Sequence, residues 1–90
     1  MENAASMLTA ARIRRVRWRA RRGLLENDIV LTRYLDGHEH RLTEEQVLAL
    51  DLLLDLGDPE LLDLILQRVE PSGALDCPPV HHLLSDLRRA

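Results

Sequence analysis

Aliphatic side chains supply nearly all the apolar content of this chain, and they recur at spacings of three and four. Hydrophobic residues make up 46% of its 90 residues, yet Trp18 and Tyr34 are the only aromatics and phenylalanine is absent. Leucine and alanine favour helices, whereas sheets are enriched in β-branched and aromatic residues. Ninety residues suffice for one modest core. We therefore predict an all-α fold, a small single-domain bundle of about five helices over residues 1–90.

The clearest helix start lies at Thr43, with Gln46 three residues later as its capping-box partner. This pair predicts a helix over 43–56, ended by a left-handed Gly57, and Asp58 is interpreted as the cap of the next helix, over 58–69. The other predicted segments are a flexible stretch at 1–7, helices over 8–22 and 24–35 with a stop at Asp36-Gly37, and a last helix that begins around Pro78-Pro79.

Charge is divided unevenly along the chain, although the net charge is only −3. Residues 1–25 carry seven arginines and one acid, whereas residues 26–63 carry eleven acids and two arginines. Such a division can steer a complementary partner, or it can be satisfied internally when a basic helix packs beside acidic ones. It also permits an alternative function, an arginine-rich nucleic-acid-binding module. The acidic balance and the shortage of stacking aromatics argue against that alternative, so we expect no nucleic-acid partner.

Candidate catalytic and metal-binding residues are scarce. His38 and His40 are interpreted as loop residues, and neither their spacing nor that of His81 and His82 places two imidazoles on one helical face. Cys77 lies among prolines without a basic neighbour and is interpreted as a passive thiol. We therefore predict no catalytic residue, no metal site and no cofactor-binding residue, and we expect that the protein is not an enzyme.

The single cysteine excludes an internal disulfide, which is typical of proteins in a reducing compartment. No apolar run approaches the ~20 residues that a membrane-spanning helix needs, and no secretory signal is recognisable at the N-terminus. We expect a bacterial cytoplasmic protein that does not insert directly into a membrane. We also expect a monomer.

Gly23 stands out because it interrupts good helix formers between Arg22 and Glu26. Glycine costs about 1 kcal/mol relative to alanine inside a helix, and it leaves the backbone uncovered. A guanidinium and a carboxylate on either side of uncovered backbone predict a contact surface. The structural alternative is that Arg22 and Glu26 simply pair across one helical turn, which is worth at most ~0.5 kcal/mol on an exposed surface.

Around this glycine the chain resembles, in order and spacing, the FAD assembly factors of succinate dehydrogenase. The resemblance covers residues 12–69, and its Arg-Gly-x-x-Glu signature is met by Arg22, Gly23 and Glu26. Two departures are Pro78-Pro79, where an uninterrupted helix is expected, and Tyr34, where phenylalanine is common. The matching segments are Arg15-Val16-Arg17-Trp18, Arg21 to Ile29, Tyr34, Leu42 to Glu45, Leu53-Leu54 and Asp58 to Leu61.

The resemblance implies an all-helical bundle with the role of a dedicated chaperone. Members of the family bind the flavoprotein subunit of succinate dehydrogenase and, in bacteria, that of the related fumarate reductase. They promote covalent attachment of FAD to a histidine of that subunit without catalysing the bond, so no stably bound cofactor is expected. Match to the motif implies that Arg22, Gly23 and Glu26 bind the partner, and Arg21, Trp18 and Asp28 are added as partner-binding candidates. Trp18 fits either an interface anchor or a core residue, and we favour the core.

Overall fold

Five α-helices and one 3₁₀ turn follow each other through the part of the chain that the structure describes. This computed structural model describes residues 2–38 and 41–90, with side chains over 10–38 and 41–90. No strand occurs in those ranges, so the predicted all-α fold is confirmed there. The elements are α1 (Glu2–Arg19), α2 (Leu25–His38), α3 (Glu44–Leu54), α4 (Asp58–Ile65), the 3₁₀ turn (Gly73–Leu75) and α5 (Pro78–Arg89).

The first helix differs from its predicted bounds at both ends. It begins at Glu2, where the sequence pattern predicts a start at residue 8, and it ends at Arg19, three residues before the predicted end. The prediction that residues 1–7 are flexible is not tested by the structure and stays a prediction. Because α1 ends early, the chain leaves the helix before the Arg-Gly signature begins.

The core is built around α3 and α5, which pack against each other. The fifth helix also contacts α2 and α4, and α1 lies along α3. Aliphatic burial of this kind contributes about 25 cal/mol for each Å² of apolar surface removed from water. The buried apolar side chains are Val16, Ala20, Leu31, Tyr34, Leu35, Leu42, Val47, Ala49, Leu50, Leu53, Leu54, Leu61, Leu64, Ile65, Val80, Leu83, Leu84 and Leu87.

Ion pairs hold α1 against the acidic helices. Among the described side chains of α1 only Val16 is buried, because arginines occupy most other positions; Ala20, directly after the helix, is buried as well. The charge division along the sequence is therefore satisfied to a large extent inside the fold. The pairs are Arg12 with Glu44, Arg17 with Asp36 at 2.7 Å, and Arg19 with both Asp51 at 3.0 Å and Asp55.

The capping box predicted at Thr43 is confirmed. The Thr43 hydroxyl accepts a hydrogen bond from the Gln46 backbone N–H at 3.2 Å, and the Gln46 side-chain oxygen accepts one from the Thr43 N–H at 2.8 Å. Leu42 and Val47 on either side are both buried, so the entry of the chain into α3 is fixed by polar and apolar contacts together. The last helix likewise begins as predicted, with Pro78 and Pro79 in its first turn.

The predicted role of Gly57 is wrong. Its backbone is extended, with φ of −69° and ψ of 164°, and it serves as the N-cap of α4 instead of a left-handed end to α3. Since Gly57 occupies the cap position, Asp58 is the first residue inside α4 and its side chain does not cap the helix. That carboxylate is therefore available to other parts of the chain.

The predicted stop at Asp36-Gly37 is also wrong, because α2 continues to His38. The His38 ring stacks on Tyr34 with the ring centroids 4.3 Å apart, and its Nδ1 lies 2.9 Å from the Tyr34 carbonyl oxygen. These contacts extend the helix by a turn and place His38 in the helix, where the sequence analysis predicted a loop. His40 lies outside the described residues.

The helix α4 ends at Ile65, four residues before the predicted end at Val69. The turn that ends it has Gln67 at a position that glycine usually occupies. Gln67 has a φ of +61°, in the left-handed region. The Arg68 N–H donates to the Asp63 carbonyl at 2.8 Å, and the Gln67 N–H donates to the Leu64 carbonyl at 3.2 Å. This is the Schellman pattern, whose left-handed position is usually glycine because a Cβ is strained there.

Gln67→Gly should therefore stabilise the protein. Relief of the left-handed strain is worth about 1 kcal/mol, which corresponds to a rise in Tm of roughly 4–8 °C for a domain of this size. Thermal unfolding followed by circular dichroism checks this prediction, with Gln67→Ala as a control that keeps the Cβ and should bring no gain. A glycine variant that melts no higher than the wild type would contradict the strain argument.

Tyr34 carries a hydroxyl that has no hydrogen-bond partner among the described residues, although its side chain is fully buried. Burial, together with the nearby charge of Asp86, raises the pKa of Tyr34 to about 12 from its ordinary value of 10.0. The folded state therefore holds this proton more tightly than the unfolded state. Stability that depends on the neutral phenol is complete below pH 10 and is lost as the pH rises toward 12.

Tyr34→Phe should remove this alkaline sensitivity. The wild type is expected to lose about 2 kcal/mol of unfolding free energy between pH 10 and 12, since each pKa unit is worth 1.36 kcal/mol and part of the two-unit effect lies outside this interval. At pH 7 the variant should equal or exceed the wild type by up to about 1 kcal/mol, because no buried hydroxyl remains unpaired. Urea titrations at pH 7, 10 and 12 measure both effects. An equally steep alkaline loss in the variant would rule Tyr34 out as its source.

Candidate functional site

The motif loop, residues 20–24, joins α1 to α2 and lies against the link between α3 and α4. The loop starts where the Ala20 N–H donates to the Val16 carbonyl at 2.8 Å and closes α1. Its Arg-Gly pair then meets the residues that follow Leu54, which are more than thirty positions further along the chain. The geometry of the loop is therefore set by tertiary contacts.

Arg22 fills most of that contact, with only 12% of its side chain exposed. Its Nε donates to Oδ1 of Asp58 at 2.7 Å. One terminal nitrogen donates to the Leu54 carbonyl at 3.2 Å and the other to the Leu56 carbonyl. These carbonyls lie at the end of α3, where helical acceptors lack intrahelical partners. The guanidinium thus closes the end of α3 and joins it to the start of α4.

Asp58 is the acceptor on which the motif loop converges. Besides Arg22, it accepts the Leu24 backbone N–H on Oδ2 at 3.1 Å and the Asn27 amide on Oδ1 at 3.3 Å. The hydrogen bond from Arg22 holds the pKa of Asp58 below its ordinary 3.8; partial burial opposes this effect, and the bonds from Leu24 and Asn27 reinforce it. Because the folded pKa is the lower one, this stabilisation is present above about pH 4 and is lost as the pH falls through the folded value.

Apart from Tyr34 with its hydroxyl, Asn27 is the one buried side chain with polar atoms among the described residues, and its exposure is 0%. Its Nδ2 donates to the Asp58 backbone carbonyl at 2.9 Å as well as to the carboxylate. Its Oδ1 has no partner in the described part of the chain. A buried amide held to one residue in this way fixes the first turn of α2 against the first turn of α4.

Gly23 and Glu26 lie on the outside of the same structure, and both are exposed. A Cβ built at Gly23 would meet only Asp58 Oδ2, at the ordinary contact distance of 3.6 Å, and its φ is outside the left-handed region. Neither packing nor backbone conformation therefore demands glycine at this position. The absence of a side chain instead leaves the loop backbone open to an approaching molecule.

Apolar and cationic side chains surround this opening. Leu25 is 64% exposed and Ile29 is 38% exposed on the outer face of α2. Trp18 is 72% exposed, with the Arg21 guanidinium 5.4 Å from its ring centroid. Exposed aromatic and arginine side chains are typical of residues that contribute most to protein interfaces. An open groove between α1 and α2 continues the surface, lined by Arg14, Arg17, Trp18, Arg21, Asp28 and Thr32.

The structure thus separates the predicted site residues into two groups. Gly23, Glu26, Arg21 and Trp18 are exposed, and Asp28 is half-buried with its Oδ1 3.4 Å from the Arg22 backbone N–H. Arg22 points into the fold. The core position favoured for Trp18 is wrong, and the structural alternative of an Arg22–Glu26 pair is replaced by the pair between Arg22 and Asp58.

Sequence reasoning missed the roles of Asn27 and Asp58, and it did not identify Leu25 and Ile29 as exposed residues. The burial of Asn27 could have been predicted from the sequence, because Asn27 is four residues before Leu31 and seven before Tyr34, on the buried face of α2. The same periodicity puts Leu25 and Ile29 on the opposite face. No sequence signal pairs Arg22 with an acid 36 positions away.

Within residues 2–38 and 41–90, no helix combines the length and apolar character that crossing a bilayer requires. The same residues hold no group of three or more histidine, cysteine or acidic side chains arranged to bind a metal ion. His81 and Asp76 form a pair at 2.9 Å, distant in sequence from the motif loop.

Comparison with known proteins connects this surface to a family. The Sdh5 profile, described as the flavinator of succinate dehydrogenase, matches residues 14–88. The FAD assembly factor SdhE of Ralstonia nicotianae is 55% identical over 74 residues, which cover 82% of this chain and 78% of the relative. No solved structure matches the chain.

More distant relatives carry similar names. The FAD assembly factor SdhE of Legionella pneumophila strain Lens is 41% identical over 61 residues, covering 68% of this chain and 77% of the relative. The mitochondrial succinate dehydrogenase assembly factor 2 of Dictyostelium discoideum is 41% identical over 49 residues, covering 54% of this chain and 35% of the relative. These matches confirm the resemblance to the FAD assembly factors of succinate dehydrogenase. The chain belongs to the Sdh5 family, the flavinators of succinate dehydrogenase.

Proposed function

We propose that this protein is an assembly factor that binds the flavoprotein subunit of succinate dehydrogenase and promotes covalent attachment of FAD to it. Its family membership and the names of its relatives support the proposal. The structural observation that carries it is the exposed position of Gly23, where nothing in the fold requires glycine; Leu25 and Glu26, two and three residues later, are also exposed. In bacteria, the flavoprotein subunit of fumarate reductase is a second client within this proposal.

The contact surface suits a chaperone that acts by binding. Attack of a histidine on the 8-methyl carbon of the flavin requires the two groups to be held at close range, and the groups that hold them belong to the flavoprotein. A partner that binds the competent arrangement of that subunit more tightly raises its population. Glu26 would accept hydrogen bonds from the flavoprotein and Gly23 would let its backbone come close. Arg21, Trp18 and Asp28 extend the proposed contact along the groove.

This mode of action needs no cofactor held by the chain itself. We therefore propose that FAD stays with the flavoprotein, that the assembly factor is not an enzyme, and that it works as a monomer in the bacterial cytoplasm without inserting into a membrane. Nucleic-acid binding gains no support from the fold, because Arg12, Arg17 and Arg19 of α1 already pair with acids of α2 and α3.

The proposal can be tested with purified components. The apo flavoprotein subunit is incubated with FAD, with or without this protein, and covalent flavin is measured by fluorescence of the denatured subunit after electrophoresis. We expect the protein to raise the initial rate of covalent attachment, and Glu26→Ala to weaken that effect while its melting temperature stays near that of the wild type. Equal rates with and without the wild-type protein would contradict the proposed function.

A further inference from the structure

A tether joins the motif loop to a helix that begins more than thirty residues later. Three donors from the loop and its neighbour, the Arg22 guanidinium, the Leu24 N–H and the Asn27 amide, converge on the carboxylate of Asp58. Two donations span both sides of the exposed Gly23, one from the residue before it and one from the residue after it. The backbone at Gly23 is therefore held from both ends by a single acceptor.

The hydrogen bonds to Asp58 restrict the backbone flexibility that glycine gives to the motif loop. A loop centred on glycine has more accessible backbone conformations than any other, so an untethered loop would have to be ordered by the partner during binding. Preorganisation removes that cost from the binding step. Glu26 lies one residue from Asn27 in the first turn of α2, and Asn27 is fully buried against the Asp58 carbonyl.

We propose that Asp58 and Asn27 are positioning residues, which hold the backbone of Gly23 and the side chain of Glu26 in the geometry that binds the flavoprotein. The proposal rests on the proposed function, and it gives Arg22 an indirect role. Arg22 lies on the inner side of the loop and holds the loop in place through its hydrogen bonds to Asp58 and to the end of α3. The flavoprotein then contacts the outer face of the loop.

A direct role for Arg22 predicts a different outcome for one variant. Asp58→Asn removes the negative charge that holds the guanidinium. If Arg22 bound the partner itself, its release from Asp58 would leave partner affinity unchanged or improve it. If Arg22 acts through the tether, the same change loosens the loop and weakens binding although every residue of the outer surface is retained.

The experiment measures two properties of each purified variant well below its melting temperature. The first is the Kd for the apo flavoprotein subunit by isothermal titration calorimetry, and the second is the hydrogen-exchange rate of the Leu24 amide by NMR. For Asp58→Asn we expect a Kd at least about tenfold higher and a faster Leu24 exchange. Arg88→Met is the matched control, because Arg88 similarly donates to the Ile65 and Leu64 carbonyls, at 3.0 and 2.8 Å, away from the motif loop.

Arg88→Met should lose stability while its Kd stays within about twofold of the wild type. If Asp58→Asn does not fold, Asn27→Leu is measured in its place, because it removes a hydrogen-bond donor to Asp58 without changing the charge. The same loss of affinity is expected. Wild-type affinity in a folded Asp58 or Asn27 variant would overturn the tether. The tether would also be overturned if the Arg88 control lost as much affinity as the Asp58 or Asn27 variant for the same loss of Tm. Failure of the wild type to bind the flavoprotein would overturn the proposed function instead.

Discussion

Gly23→Arg is expected to abolish assisted flavinylation while leaving the bundle folded. The new Cβ meets only Asp58 Oδ2 at 3.6 Å, and position 23 is exposed, so the arginine can extend into solvent without displacing the core. The same side chain would cover the uncovered backbone and block a partner that must approach it closely. Covalent flavin on the flavoprotein subunit should fall to the level seen without any assembly factor.

Gly23→Ala provides the matched control, because it tests the backbone position with the smallest side chain. We expect this variant to fold like the wild type and to lose less assistance than Gly23→Arg. Circular dichroism and thermal unfolding establish the fold of both variants before their effects on flavinylation are compared. A folded Gly23→Arg protein that supports normal covalent attachment would show that the partner binds elsewhere.

Arg22→Met is expected to have the largest effect on stability of any single change at the motif loop. The substitution keeps an apolar stem of similar length but leaves the Leu54 and Leu56 carbonyls without their donor, and Asp58 without its cation. Loss of the charge-assisted bonds to the two carbonyls should cost about 2–4 kcal/mol of unfolding free energy. The corresponding drop in Tm is roughly 8–32 °C for a domain of this size.

Arg15→Met makes the same chemical change at an exposed position of α1 and should alter stability by at most about 0.5 kcal/mol. Urea unfolding of both variants and the wild type gives the difference directly. If Arg22→Met has the same stability as the wild type but no longer binds the flavoprotein, Arg22 contacts the partner directly. That result would contradict the structural role assigned to its buried guanidinium.

Local sequence signals predicted much of the fold. The capping box at Thr43 works through residues three apart, and the prolines at 78 and 79 restrict only the turn that they begin, so both could be read without tertiary information. The aliphatic composition likewise predicted helices packed on helices. Errors arose where two local signals overlapped, as at Gly57, which fits both a helix end and a helix start.

The candidate site was less accessible to sequence reasoning. The family signature located Gly23 and Glu26, but the hydrogen-bond partners of Arg22 lie 32–36 residues further along the chain. Residues 26–63 contain eleven acids, and nothing in the sequence specifies which of them pairs with Arg22. Trp18 was assigned to the core because aromatics are rare here, yet α1 is held largely by ion pairs and leaves that side chain outside. Rarity of a residue type carries no information about the direction of its side chain.

The most direct test of the central claim is the covalent flavin content of the succinate dehydrogenase flavoprotein subunit in cells. Cells in which this gene is deleted are compared with cells that carry the restored wild-type gene or the Gly23→Arg variant, and flavin fluorescence of the denatured subunit is read after electrophoresis. We predict loss of fluorescence on deletion, recovery with the wild type and no recovery with Gly23→Arg. Equal fluorescence in all three strains would contradict the account.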